Sequence, residues 1–246
     1  MTKCQECGYS NFSKYSSCLK CHTKLVSSAD PQRRVQVFID IERVSGRQEA
    51  PPLSIALVKV VDQKIVECKE VVIVPAGNSP NKWDYNCKNI HKMYVENVGG
   101  NKVVKKMVVG GKDVVLPSLP PAKAAGVVVD FLTNCGDNVS LVYHGEDEKC
   151  LLPFLEQHNV IHVFNDVVSS LIDSRVFFKI VQKPFGRKFG MKTVVEDWGD
   201  KEDKKEYLMG AHGALVDARV LAKICTGPQL GERFGHWIDF EQMLLM

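Results

Sequence analysis

No stretch of this chain approaches the roughly 18 consecutive apolar residues that a membrane-spanning helix requires, so neither a membrane helix nor a membrane partner is expected. The opening residues, MTKCQECGYS, lack the basic-then-apolar pattern of a secretory signal. The protein is therefore expected inside the cell, in cytoplasm or nucleus, and not secreted. Net charge is small, +3 from 32 basic and 29 acidic residues. Any argument for nucleic acid must then rest on where charge is placed. Cysteine is sparse beyond residue 21: four of the nine lie in the first 21 residues, and Cys68, Cys87, Cys135, Cys150 and Cys225 are scattered singly. An odd total, no signal and scattered thiols favour a reducing compartment over an extracellular disulfide framework, and the scattered thiols read as small core or surface residues. What remains, 45% hydrophobic and 25% charged over 246 residues, is an ordinary globular composition with ample material for a core.

The chain is organised around Val35–Glu42, VQVFIDIE. It is an apolar, β-branched run suited to a strand buried within a sheet. Residues i and i+2 of a strand share a face, so Asp40 and Glu42 should emerge side by side. Two such acids repel each other and are poorly solvated, and a divalent cation between them resolves both problems. The simpler alternative is a solvated pair at the strand's exit. Asp-x-Glu is a common pattern, and this chain carries another at Asp200-Lys201-Glu202, read as part of a charged loop.

The first cysteines form two Cys-x2-Cys pairs, Cys4/Cys7 and Cys18/Cys21. Each pair can present two thiolates to one tetrahedral Zn²⁺. Some 25 residues cannot bury a core of their own, so metal binding would supply the folding energy. Two disulfides are the alternative, disfavoured by the reducing compartment. Residues 1–26 are thus read as a zinc-ribbon-like module with one structural Zn²⁺, open to a protein or nucleic-acid partner. The polar stretch 27–34, holding Pro31, reads as a linker.

Leu53–Val61 and Lys64–Val74, joined by Asp62-Gln63, predict an antiparallel meander with the first strand. Residues 78–121 read as an insertion, a hairpin or mobile flap with Gly99-Gly100 and Gly110-Gly111 and with Lys102, Lys105, Lys106 and Lys112. A helix is predicted over Ala122–Asn134, a buried strand over Val139–Tyr143, and a helix from Asp147, where Cys150, Leu151, Phe154 and Leu155 repeat at helical spacing. Asp147 has two readings, a helix cap or a third carboxylate at the carboxyl end of a central strand. Val160–Val163 reads as a further short strand, and Leu171–Ser174 leads into another helix. Between Lys179 and Lys192, Lys183, Arg187 and Lys188 alternate with Phe185 and Phe189. Cations for phosphates and aromatic faces for bases would suit a single strand, while a basic loop over two core phenylalanines is the alternative. Finally His212 precedes a helix with Asp217 one turn in, on a Gly210/Gly213 frame.

In chain order, Asp40-Ile41-Glu42, Asp147 and His212-x-Ala-x-x-Asp217-Ala218 resemble the motifs of the DnaQ-like, RNase T-type 3′–5′ exonucleases, the DEDDh family of the ribonuclease H-like superfamily. His144, Asp173-Ser174 and Asn89-Ile90-His91 fit minor signatures of that family. The resemblance implies an α/β fold, a ribonuclease H-like mixed sheet flanked by helices, over residues 35–246. It implies two Mg²⁺ or Mn²⁺ ions about 4 Å apart, with Asp40 and Asp217 on the nucleophile side and Glu42 and Asp147 completing the pair. His212 would be the general base, and the partner a nucleic acid with a free 3′ end. RNA and DNA are both open, because reading a 2′-OH depends on pocket shape. This chain departs from the family in three respects: Arg43 stands where Thr is usual, the second motif lacks its usual Phe-Asp pair (with Glu146 the alternative anchor), and the insertion is long. A weakened exonuclease fold that only binds nucleic acid or protein is the competing expectation, together with a zinc-ribbon interaction protein whose large domain is a scaffold.

Overall fold

The computed structural model describes residues 35–44, 50–74, 90–108, 111–182, 190–210 and 213–227, together with the backbone of 2–3 and 10–11. The chain divides into two compact units, Met1–Arg34 and Val35–Met246. In the first, β1 (Thr2–Lys3) pairs antiparallel with β2 (Ser10–Asn11). Cys4, Cys7, Cys18 and Cys21, expected to hold zinc, lie outside the described residues.

The second unit opens with β3 (Val35–Arg43), β4 (Pro52–Val61) and β5 (Lys64–Ile73), antiparallel neighbours as the short Asp62-Gln63 connection predicts. Asp62 and Gln63 both take positive φ, 47° and 66°. That conformation matches a two-residue hairpin turn to the twist of its strands. Then come β6 (Met93–Val98), β7 (Asn101–Lys106) and β8 (Val114–Leu116), a separate three-stranded sheet whose first hairpin turns on Gly99 and Gly100. The remainder is β9 (Ser118–Leu119), α1 (Pro121–Thr133), β10 (Val139–Tyr143), α2 (Glu148–Gln157), α3 (Ile161–Val167), β11 (Val168–Asp173), α4 (Ser174–Gln182), α5 (Met191–Trp198), α6 (Lys201–Gly210) and α7 (Ala214–Thr226). Among the described residues no helix is long and apolar enough to cross a membrane.

The main sheet has the order β11-β10-β3-β4-β5-β9. Strands β11, β10 and β3 run parallel, β4 runs against both its neighbours, and β9 is parallel to β5. Strand alternation sorts the core onto its two faces. Val37, Ile39, Ile41, Ile55, Leu57 and Leu141 pack with α1, α2 and α3. Phe38, Ala56, Val58 and Val142 pack with α4, α5, α6 and α7. A central strand covered on both faces is why β3 reads as a nearly continuous apolar run.

Two expectations fail here. Val160–Val163 is not a strand: helix α3 begins at Ile161, and the strand comes after it, at Val168. A short apolar run fits either a buried strand or a buried helix, and here Phe164 and Val167 reach the core from one helical face. Asp200-Lys201-Glu202 is not a loop pair either, since Lys201 and Glu202 open α6. The insertion, a hairpin or flap by sequence, carries the β6–β7 hairpin in its described part. Met93 and Val104 close a small core with Leu53 and Val72 of the main sheet, and Val95 and Leu116 pack against it.

Candidate active site

Asp40 and Glu42 extend the row begun by Phe38, on the sheet face covered by α7. Their partners across β4 are small, Ala56 and Ser54, which leaves space above that row. Ala214, Ala218 and Ala222 on the buried face of α7 let this helix lie close over β3 and β4. Its first turn thereby delivers Asp217 to the acids of β3. Oxygens of Asp40, Glu42 and Asp217 all lie within 4.8 Å of one another, with Glu42 and Asp217 buried. The junction before α7 is tightly packed: a Cβ on Gly210 would stand 2.7 Å from Val216 Cγ2. The glycine is there for close approach. His212, expected as the base, lies outside the described residues, as do Lys183, Phe185, Arg187, Lys188 and Phe189.

Asp147 arrives from the next strand. β10 is parallel to β3, with Val142 opposite Phe38, so the loop after Tyr143 emerges beside Asp40 and Glu42. Asp147 is the N-cap residue of α2 yet makes no side-chain capping bond. It is 7% exposed, and its Oδ2 has no hydrogen-bond partner among the described residues. A carboxylate buried this way costs free energy unless a cation compensates it.

The loop carrying Asp147 is tied to the start of α4. Asp173 Oδ1 accepts from the backbone N–H of Gly145 (3.2 Å) and of Arg175 (2.9 Å), and the Arg175 guanidinium donates to the Gly145 carbonyl at 2.6 Å. The Ser174 hydroxyl donates to the Tyr143 carbonyl at 2.8 Å, so His144 Nδ1, 2.9 Å from that hydroxyl, is the donor in their bond. Gly145 has φ 119°, a conformation L side chains rarely adopt.

The candidate set drawn from the sequence omitted His91 and Tyr207. His91 Nδ1 lies 2.7 Å from Glu42 Oε2, with both side chains about 90% buried (10% and 9% exposed). It stands just before β6, so the insertion reaches the acidic cluster. The only sequence signal for it was the Asn89-Ile90-His91 segment. Tyr207 on α6 is buried. Burial and then the charges of Asp217, Asp40 and Glu42 push its phenol up.

The acids show the same strain electrostatically. Burial, reinforced by Asp147, Glu42 and Asp217, raises the Asp40 carboxyl well above the usual carboxylate range, while Arg43 opposes the shift. Burial likewise pushes Asp147 up to about 8, with the Arg43 and Arg175 guanidiniums pulling down and Glu42 and Glu148 pushing up. The folded protein thus holds protons that the unfolded chain has already lost. Without divalent cations, stability should fall as pH rises from the ordinary 3.8 toward about 8. Mg²⁺ should restore more of it near the top of that window than near the bottom. Melting curves in EDTA and in Mg²⁺ check this. A melting temperature that stays flat or rises across the window would contradict it.

No protein-family model matches the sequence, and no curated protein does. Among solved structures, the chain is similar to a zinc-bound complex of Escherichia coli exonuclease I with single-stranded DNA (TM-score 0.60, 13% identity, 87% of this chain and 43% of that chain). It is also similar to E. coli exonuclease I with a dT13 oligonucleotide (TM-score 0.57, 12% identity, 86% and 42%). A third likeness is to exonuclease I from Methylocaldum szegediense (TM-score 0.55, 11% identity, 86% and 43%). The chain spans less than half the length of these exonucleases. At such identities the likeness is one of fold, and the fold is of the exonuclease type, a mixed sheet flanked by helices; the carboxylate cluster of Asp40, Glu42 and Asp217 could hold a metal ion.

Proposed function

We propose that this protein is a divalent-cation-dependent 3′–5′ exonuclease that hydrolyses phosphodiester bonds of RNA or DNA from a free 3′ end. The observation that carries this reading is the convergence of Asp40, Glu42 and Asp217 within 4.8 Å, with Asp147 emerging from the neighbouring strand. The fold shared with exonucleases crystallised on single-stranded DNA supports a nucleic-acid substrate.

The donor set fits a hard cation, because carboxylate oxygens suit Mg²⁺ and Mn²⁺ and the cluster holds no sulfur. Asp40, Glu42 and Asp217 would hold the ion, which supplies charge neutralisation at the scissile phosphate and a more acidic water. Glu42 and Asp147 are the residues left to hold a second positive charge, as the resemblance implies. His212, placed by sequence before α7, would take the proton from the attacking water. His91 orients Glu42, and the bonds around Asp173 hold the Asp147 loop. Lys183, Phe185, Arg187, Lys188 and Phe189 remain the proposed strand-binding segment. Cys4, Cys7, Cys18 and Cys21 remain the proposed ligands of one structural Zn²⁺ in a module spanning residues 1–26.

A second reading, a weakened exonuclease fold that only binds, is favoured by one observation: Arg43 follows Glu42 directly on β3, and its charge acts to lower the carboxyls of Asp40 and Asp147. Matched RNA and DNA oligonucleotides labelled at the 3′ or the 5′ end decide between the two. With Mg²⁺, a 3′ label should appear first as a mononucleotide while a 5′ label marks a shortening ladder, and EDTA should stop both. Tight binding without release would establish the second reading, and release in EDTA would overturn the role of the cation.

A further inference from the structure

We infer that one face of α6, formed by Lys201, Lys204 and Lys205 and ending in Leu208, carries the single-stranded tail of the substrate away from the acidic cluster. This rests on the nuclease reading and concerns where the nucleic acid lies beyond its last nucleotide. The four residues stand at i, i+3, i+4 and i+7, so they share one side of the helix. Lys201 and Lys205 are exposed, and Leu208 and its neighbour Met209 are 78% and 81% exposed. Among the described residues the three lysines form no ion pair. Two of the three acids on α6 are committed elsewhere. Glu206 accepts from Lys223 Nζ at 2.6 Å and lies 3.5 Å from Arg219 Nε. Asp203 accepts from the Asp200 N–H and lies 3.7 Å from Lys223.

The other side of α6 fixes where this face leads. Tyr207 is buried in the core it shares with Phe38, Ala214 and Ala218. At the end of the helix a Cβ on Gly210 would meet Val216, and the Gly210 carbonyl accepts from the Gly213 N–H at 3.1 Å. The Gly213 carbonyl in turn accepts from the Asp217 N–H at 3.1 Å. Leu208 and Met209 therefore stand at the end of α6 that meets the acids, and the lysines lead away from it. An open groove of about 560 Å³ borders that end, lined by Lys205, Met209, Gly210 and Val216 together with Glu202 and Glu206. From Lys201 to Leu208 the helix rises about 10 Å, the stacked length of about three nucleotides.

The chemistry of the face suits a single strand of DNA or RNA. Unpaired ammonium groups neutralise phosphates without reading sequence, and exposed apolar side chains meet the faces of unstacked bases. Lysine is depleted at protein–protein interfaces, which argues against a protein on this face.

The test varies substrate length and salt. Nucleotide release from an eight-nucleotide oligothymidylate, an eight-nucleotide oligouridylate and the two corresponding dinucleotides is measured for the full-length wild type and for Lys201→Ala/Lys204→Ala/Lys205→Ala. Melting curves confirm folding. In the lysine variant, KM for whichever octanucleotide is degraded should rise about tenfold with kcat unchanged, and its logarithmic salt slope should flatten by about 2, the loss of three phosphate contacts. Dinucleotides, too short to reach the lysines, should be handled as by the wild type. Leu208→Ala/Met209→Ala should raise the octanucleotide KM several-fold without changing the salt slope. Wild-type KM and slope in the folded lysine variant overturn the inference and leave the nuclease reading standing. An equal rise in KM for the dinucleotides does the same. So does a change of sedimentation mass without a change in KM, which assigns the face to a second copy of the chain. If the alanine variant does not fold, the corresponding Lys→Gln triple variant decides. If the wild type releases nothing from any substrate, the nuclease reading falls, and fluorescence anisotropy of the labelled octanucleotides decides the face by the same change in slope.

Discussion

Asp40→Asn should abolish nucleotide release while leaving the protein folded and, in EDTA, at least as stable as the wild type. Asparagine keeps the shape of the side chain and removes one charge from a group that Asp147, Glu42 and Asp217 already repel. Turnover should fall by about three orders of magnitude, equivalent to roughly 4 kcal/mol of transition-state stabilisation. Lost repulsion should raise the melting temperature in EDTA by a few degrees, and the extra stability that Mg²⁺ confers on the wild type should largely disappear. Steady-state assays and paired melts with and without Mg²⁺ measure both halves. Full turnover in the variant would remove the cluster from the chemistry. A large loss of stability would mean that these acids serve the fold instead.

Phe178→Ala should have the largest effect on stability. Phe178 is 0% exposed. Its ring lies 5.0 Å from Phe177, 6.4 Å from Trp198 and 6.2 Å from His144, centre to centre. Truncation removes a full aromatic side chain from a close-packed core, at a cost of about 3–5 kcal/mol. For a domain of this size that corresponds to a melting temperature lower by about 10 °C. The edge contact with His144 adds a functional consequence. His144 and Ser174 hold the loop that carries Asp147, so turnover measured well below the melting point should also drop. Phe178→Leu, which keeps most of the volume, should show a smaller fraction of both effects. A loss below about 1 kcal/mol for Phe178→Ala would contradict the packing of α4 against this face of the sheet.

Legibility of the fold follows the physics of each segment. Val35–Glu42 was readable because a doubly covered central strand must be apolar nearly throughout, and Asp62-Gln63 because a polar pair between two apolar runs marks a turn. Helix α6 was missed because its sequence, KEDKKEYLMG, is polar around most of its circumference, with only Asp203 and Tyr207 buried. A local signal did exist. Asp203 N–H bonds Asp200 Oδ1 at 2.8 Å, and Asp200 N–H bonds Asp203 Oδ2 at 3.3 Å, a reciprocal cap spaced like Ser-x-x-Glu. The α3 error has a different source, since Val160–Val163 carries no feature that separates a buried strand from a buried helix.

By itself the sequence determined which carboxylates stand at the ends of apolar elements: Asp40 and Glu42 by strand period, Asp217 by its place one turn into a helix. Those are local properties, set by the alternation of side chains along a single element. Only the tertiary structure decided that Asp217 closes on the pair from β3 and that His91 reaches Glu42 from the insertion. Such contacts join residues far apart along the chain, and they exist because β10 lies parallel to β3 and α7 crosses over both β3 and β4 on small alanines.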